Sequence, residues 1–262
     1  MSDVITTTDQ APGYPAEGSR EMMEAGVFYG RKKNKTNPKM RQFVLANRGG
    51  IEIINLQRTG ELLDEAMAFI KEKARNNALM LLVGTEPAAE ISLLELAKKF
   101  DLPYVTTRWV GGTITNYRNI AGRVDHMKKL RADFASGALV EKYTKKERLE
   151  LDREMNRLKD LMGGLEALTK EPDVVIMIDP VLHHTALAEA KTKKIPVVAL
   201  ANVDVDPDQI DYLIPGNDKA RKSIEWFLEK VGKAIAEGVA LRVVPKPEEV
   251  SPATAVKAVP KA

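Results

Sequence analysis

The sequence predicts an α/β protein, a three-layer domain whose parallel sheet is buried between helices and interrupted by a long helical insertion. Three observations predict it. Five short, continuous apolar runs recur along the chain, as expected for strands covered on both faces. Amphipathic stretches alternate with them, which is the pattern of right-handed crossover units. One gap between runs spans about seventy residues, where a single crossover helix needs a dozen or so. A chain of 262 residues with 44% hydrophobic and 29% charged residues can bury a substantial core.

Residues 1–19 and 244–262 are polar, Pro-rich and aperiodic, and read as a disordered arm and tail around a core of 20–112 and 164–243. Phe43–Leu45 and Ile51–Ile54 flank Asn47-Arg48-Gly49-Gly50 and read as a small hairpin. Just before it, Pro38 predicts that residues 36–40 are extended or turning rather than helical. Leu62, Leu63, Ala66, Phe69 and Ile70 mark a helix. The core strands are Leu79–Val83, Pro103–Val105, Val174–Ile178, Pro196–Leu200 and Tyr212–Ile214. Ile224, Phe227, Leu228, Val231 and Ile235 mark the last helix, with Asn217 or Asp218 as its expected N-cap.

The insertion, residues 113–163, carries two apolar seams at helical spacing. Ile114, Tyr117, Ile120, Val124, Met127, Leu130 and Phe134 form one, and Leu151, Met155, Leu158 and Met162 the other. Ala135-Ser136-Gly137-Ala138 lies between them. Thr144 with Glu147 predicts a capping box, and Gly163-Gly164 a helix end. Together these predict an antiparallel coiled-coil hairpin, an arm with a solvated charged surface that can meet a partner.

Charge is unevenly spread. The net charge is +3, yet between Gly30 and Arg58 eight cations face a single acid, Glu52. They are Arg31, Lys32, Lys33, Lys35, Lys39, Arg41, Arg48 and Arg58. Two aromatics, Phe28 and Tyr29, precede them. Cations hold phosphates and rings stack on unpaired bases, so the window reads as a polyanion site, or else as a plain basic loop with its aromatics anchored in the core. A second candidate is Arg108-Trp109-Val110-Gly111-Gly112-Thr113-Ile114-Thr115-Asn116-Tyr117 after a strand. Its residue types fit a ligand pocket or an anion held on backbone N–H groups, and equally a tight turn with a buried Trp.

Signals for catalysis are sparse. There is no cysteine, hence no disulfide or thiolate chemistry, and no glycine-rich phosphate loop or nucleophile elbow occurs. Asp179 ends a strand and His183-His184 follow, which leaves an acid-base or metal site open beside plain capping by Asp179 and a surface histidine pair. Asp204, Asp206 and Asp208 begin like a calcium loop, but Gln209 and Pro215 stand where it requires Gly and Glu. No metal, cofactor or small-molecule substrate is expected. The N-terminus lacks a secretory pattern and no apolar run is long enough to span a membrane, so a cytoplasmic location is expected.

Several of these segments match, in order, the bacterial small-subunit ribosomal protein 2 family, which the chain resembles from about residue 21 to 238. They include Glu24-Ala25-Gly26-Val27 through Asn37-Pro38-Lys39-Met40, Asn47 to Thr59, Arg108 to Tyr117, Ile178-Asp179-Pro180 and Ile214 to Ala220. The resemblance implies a Rossmann-like (flavodoxin-like) domain with an inserted coiled-coil hairpin. It also implies a non-enzymatic part of the small ribosomal subunit that binds rRNA, touches neighbouring ribosomal proteins and helps seat ribosomal protein 1. The residues expected to meet RNA are Arg31, Lys32, Lys33, Lys35, Asn37, Lys39, Arg41, Arg48, Arg58, Arg108, Asn116 and Arg118. Phe28, Tyr29 and Trp109 are expected to stack or pack, Trp109 as an anchor where the core meets the arm. The family usually has histidines where this chain has Phe28 and Arg31, and often an arginine pair with a Trp where it has Lys33 to Thr36. These departures remove metal-capable groups and keep cations. The rival expectation is an enzyme of the same architecture that binds a nucleotide or sugar phosphate with Asp179 as acid or base, and a third is a protein-only scaffold.

Overall fold

The computed structural model describes residues 16–242 except 138, 140 and 141. The expected tail at 244–262 and residues 1–15 of the expected arm lie outside the described residues. Helix α1 (Ala16–Glu24) begins inside the segment read as an arm. Met22 is buried and fixes the helix to the core, a single anchor too sparse to register as periodicity.

A small antiparallel sheet follows, made of β1 (Tyr29–Lys32), β2 (Val44–Arg48) and β3 (Ile51–Ile54) in the order β1-β3-β2. The expected hairpin is β2-β3, turned at Gly49 and Gly50, which both have positive φ (58° and 82°). The sequence hid β1, because Tyr-Gly-Arg-Lys shows no apolar alternation. It pairs with β3, and Gly30 permits the approach: a Cβ there would sit 2.7 Å from the Glu52 carbonyl oxygen. The expectation for residues 36–40 is corrected in part. Thr36 and Asn37 are extended, but Pro38 opens a 3₁₀ helix, Pro38–Phe43. A proline at the first helical position sacrifices no hydrogen bond, and the Asn37 side chain accepts from the Lys39 amide at 3.0 Å.

The main sheet contains β4 (Met80–Val83), β5 (Tyr104–Val105), β6 (Val174–Ile178), β7 (Val197–Ala201) and β8 (Tyr212–Pro215), all parallel in the order β5-β4-β6-β7-β8. Counted within the sheet this is 2-1-3-4-5, the flavodoxin-like doubly wound order. Every residue of β4, β6 and β7 is buried, which is why those runs are continuously apolar. One face packs on α2 (Leu56–Arg75), α3 (Pro87–Phe100) and a C-terminal helix, Arg221–Ala240. The other face holds Ile114, Ile120 and Val124 together with Ala186, Leu187 and Ala190.

Among the described residues the long helices α4 (Tyr117–Ala135) and α5 (Lys145–Met162) lie between β5 and β6. They touch each other, and His126 Nε2 meets Glu154 Oε1 at 3.5 Å between them. The expected capping box forms at Thr144 and Glu147, and α5 ends at Gly163. Gly164 presses against β5, where a Cβ would lie 2.3 Å from the Tyr104 carbonyl oxygen. Gly164→Ala is therefore expected to cost about 1–3 kcal/mol, read as a lower denaturant midpoint with an unchanged m-value. An unchanged midpoint would contradict this packing.

Helix α6 (His184–Thr192) follows β6, and α7 (Arg221–Ala240) closes the chain. The N-cap of α7 is Ala220, with no side-chain cap, not Asn217 or Asp218. Asn217 Oδ1 accepts from the Lys219 and Ala220 amides just outside the helix, while Asp218 is drawn inward to other partners.

Candidate nucleic-acid interface

In a doubly wound sheet a ligand crevice opens at the carboxyl ends of the strands where the winding reverses, here between β4 and β6. Four strands each deliver an acid to this edge: Glu86 after β4, Asp179 after β6, Asp204 after β7 and Asp218 after β8. The cation that meets them comes from the small sheet. β1 turns Arg31 inward, and its guanidinium reaches Asp204 at 2.6 Å, Asp218 at 2.9 Å and Asp179 at 3.7 Å. Lys219 joins at 2.8 Å from Asp179 and also pairs with Glu86.

Burial would lower the Arg31 pKa, but Asp218, Asp204 and Asp179 outweigh it and raise it. Burial likewise pushes the Asp179 carboxyl up, and Lys219, the Leu182 amide and Arg31 hold it below its usual range. Four acids nevertheless face two cations. Asp218, the most deeply buried of the acids, carries the excess: burial first and Asp179 second push it up to about 6, against the pull of Arg31.

The histidine expectation is corrected here. His184 is exposed, but His183 is buried at 3% exposure. Its Nε2 accepts from the Thr85 amide at 3.2 Å, so Nδ1 carries the proton and donates to the Asp179 carbonyl at 2.9 Å. Both ring nitrogens are used to tie β4 to β6. Asp179 itself sits at φ 54° and its side chain accepts from the Leu182 amide, so it caps the turn before α6 and not the helix, whose N-cap is His183. Among the described residues no group of three acids or histidines is placed to hold a metal ion.

The segment from Arg108 to Tyr117 is organised by a residue that the sequence reading missed. Glu189 on α6 is buried, and its carboxylate accepts from Trp109 Nε1 at 2.9 Å and from the amides of Gly112, Ile114 and Thr115 at 2.8, 3.0 and 3.1 Å. The turn is the anion-binding nest that its glycines suggested, and the anion is this carboxylate. Burial pushes the Glu189 carboxyl up, but the Trp109 and backbone donors outweigh it and hold it low. One signal was legible: Glu189 lies three residues after Ala186 and just before Ala190, the lone acid on an otherwise apolar face. Trp109 is thereby a fixed anchor.

The remaining candidates separate by their partners. Lys39 bridges Asp206 at 2.9 Å and Asp208 at 2.5 Å, so the aspartates that imitated a calcium loop hold the basic segment. Arg58 pairs with Glu61 one turn along α2. Lys32, Lys33, Lys35, Arg41, Arg48, Arg108 and Arg118 are exposed and make no ion pair with any described residue. Asn116 is also exposed. Phe28 and the half-exposed Tyr29 have ring centroids 4.1 Å apart. The one acid of the basic window, Glu52, is buried.

A family model described as Ribosomal protein S2 matches residues 22–238. The chain belongs to the ribosomal protein S2 family. It is 40% identical over 219 residues to the small ribosomal subunit protein uS2 of Geotalea uraniireducens, covering 84% of this chain and 85% of that protein. The uS2 protein of Pseudarthrobacter chlorophenolicus is 38% identical over 228 residues, 87% of this chain and 78% of that one. That of Corynebacterium diphtheriae is 39% identical over 219 residues, 84% and 82%. As a ribosomal protein S2 family member the chain is a structural component of the small ribosomal subunit, cytoplasmic and ribosome-bound, and not an enzyme. The enzyme reading at Asp179 is thereby overturned, and its crevice is occupied by Arg31. No described helix is long and apolar enough to cross a membrane.

Proposed function

We propose that the protein binds small-subunit rRNA through the exposed cations of its N-terminal sheet and supports subunit assembly and translation. The observation that carries this reading is a division of labour within one basic stretch. Arg31 and Lys39 are spent on carboxylates of the core, which fixes the platform, while Lys32, Lys33, Lys35, Arg41 and Arg48 stay open to solvent. Open Lys and Arg on a rigid support suit phosphate contacts that set orientation, and Tyr29 offers a ring for an unpaired base. Asn37 and Arg58 border this strip, while Arg108, Asn116 and Arg118 extend the contact towards the insertion. The two inserted helices act as an antiparallel coiled-coil arm towards neighbouring ribosomal proteins, and the role includes help in seating ribosomal protein 1.

The test is rRNA binding across a series of salt concentrations with Lys32, Lys33, Lys35 and Arg41 changed together to Ala. Each lost phosphate contact is expected to flatten the slope of log affinity against log salt by about 0.7–0.9, so by up to about 3.6 for the four. Wild-type affinity and slope in this variant would remove the platform from the interface.

A further inference from the structure

A cleft of about 620 Å³ opens where α4 and α5 meet the turn after β5. Arg108, Arg123 and Arg157 line it, with His126, Glu154 and the partly buried Trp109. We infer that this cleft is a second RNA site, which takes a run of backbone phosphates where the inserted helices join the core. The inference rests on the rRNA-binding reading above and adds Arg123 and Arg157, which lie far along the chain from the basic window.

Three arginines line one space, and none makes an ion pair with a described residue. Glu154, the single acid on the wall, is engaged by His126 at 3.5 Å. Like charges held around a shared void repel one another, and a polyanion entering the void relieves that repulsion while it releases its own counterions. The planar fork of Arg matches two phosphate oxygens, which the point charge of Lys cannot. At ~30 Å³ per water the cleft holds about twenty waters, so it admits more than one phosphate group.

The apolar part of the wall, Leu158, Leu161 and Trp109, favours a nucleic acid over a lone anion. Such walls focus the field of the arginines and offer a surface for a sugar or base face. The indole is already locked by its hydrogen bond to Glu189, so it loses no freedom on binding. An acidic protein segment would share the charge, but in a ribosomal subunit protein an RNA backbone also meets the aromatic wall.

The experiment compares full-length wild type, the four-residue platform variant and a cleft variant (Arg108→Gln, Arg123→Gln, Arg157→Gln) on protein-free small-subunit rRNA over a salt series. The cleft variant is expected to bind at least about tenfold more weakly at low salt and to flatten the slope by about 2–3. A matched variant with Lys at all three positions loses the fork but keeps the charge, so it is expected to bind more weakly and to keep most of the slope; a slope flattened alike in both variants would overturn the inference. Wild-type affinity and slope in the Gln variant, with the platform variant still weakened, would overturn the cleft together with the Arg108 contact and leave rRNA binding through the platform standing. That is also the result if the cleft takes an acidic protein segment. Failure of the wild type to bind rRNA would remove the underlying function itself.

Discussion

Arg31→Ala is expected to destabilise the protein by about 3–5 kcal/mol, the usual cost of leaving buried charges without their partner. For a chain of this size that is a fall in thermal midpoint of roughly 6–20 °C. The side chain is only 20% exposed and it faces three carboxylates that arrive from three different strand ends. The pH dependence gives the effect a signature. The folded pKa of Asp218, about 6, lies above its ordinary 3.8, so its carboxyl holds its proton more tightly in the folded state. Its contribution to stability is fully present below about pH 4 and is lost as pH rises through about 6. Arg31 pulls that pKa down. Without Arg31 it climbs further, so the penalty of the substitution is expected to be smaller at pH 5 than at pH 7.5. Unfolding measured at both values checks this, and an equal loss at both would show that Asp218 does not depend on Arg31.

Glu189→Ala is expected to cost a similar amount, about 3–5 kcal/mol, by another route. The carboxylate satisfies an indole N–H, three backbone amides and the Thr115 hydroxyl, and Ala leaves several of those donors buried and unpaired. Trp109 fluorescence reports it, since the ring is held by that carboxylate at 2.9 Å. Because the Glu189 pKa is depressed, the stability it contributes is present above the ordinary carboxylate range and is lost as pH falls through the folded value. Wild-type midpoint and emission in the variant would refute the role of Glu189 as organiser of the turn.

Much of the fold was legible because its strands are buried on both faces. β4, β6 and β7 announce themselves as apolar runs within one residue of their true ends. β1 was invisible, since its place depends on a partner strand and on the missing side chain of Gly30 rather than on any pattern of its own. At the candidate site the residue types were legible and the pairings were not. The open cations Lys32, Lys33 and Lys35 read from the sequence as they stand, yet Arg31 and Lys39 look identical to them there. Their counterions lie more than 160 positions away, beyond the reach of local spacing. Glu189 escaped for the same reason, as its donors begin 74 residues upstream.

That separation bears on how the molecule assembles. Arg31 is made early, while its partners Asp204 and Asp218 follow 173 and 187 residues later. Contacts so distant in sequence close late, after local helices and neighbouring strands have formed. On the ribosome that synthesises it, this chain must therefore emerge beyond β8 before the N-terminal sheet can lock onto the core. Until then the acids after β4, β6 and β7 lack both of their cations, since Lys219 also lies beyond β8. The basic platform is among the first parts translated and the last to be fastened in place.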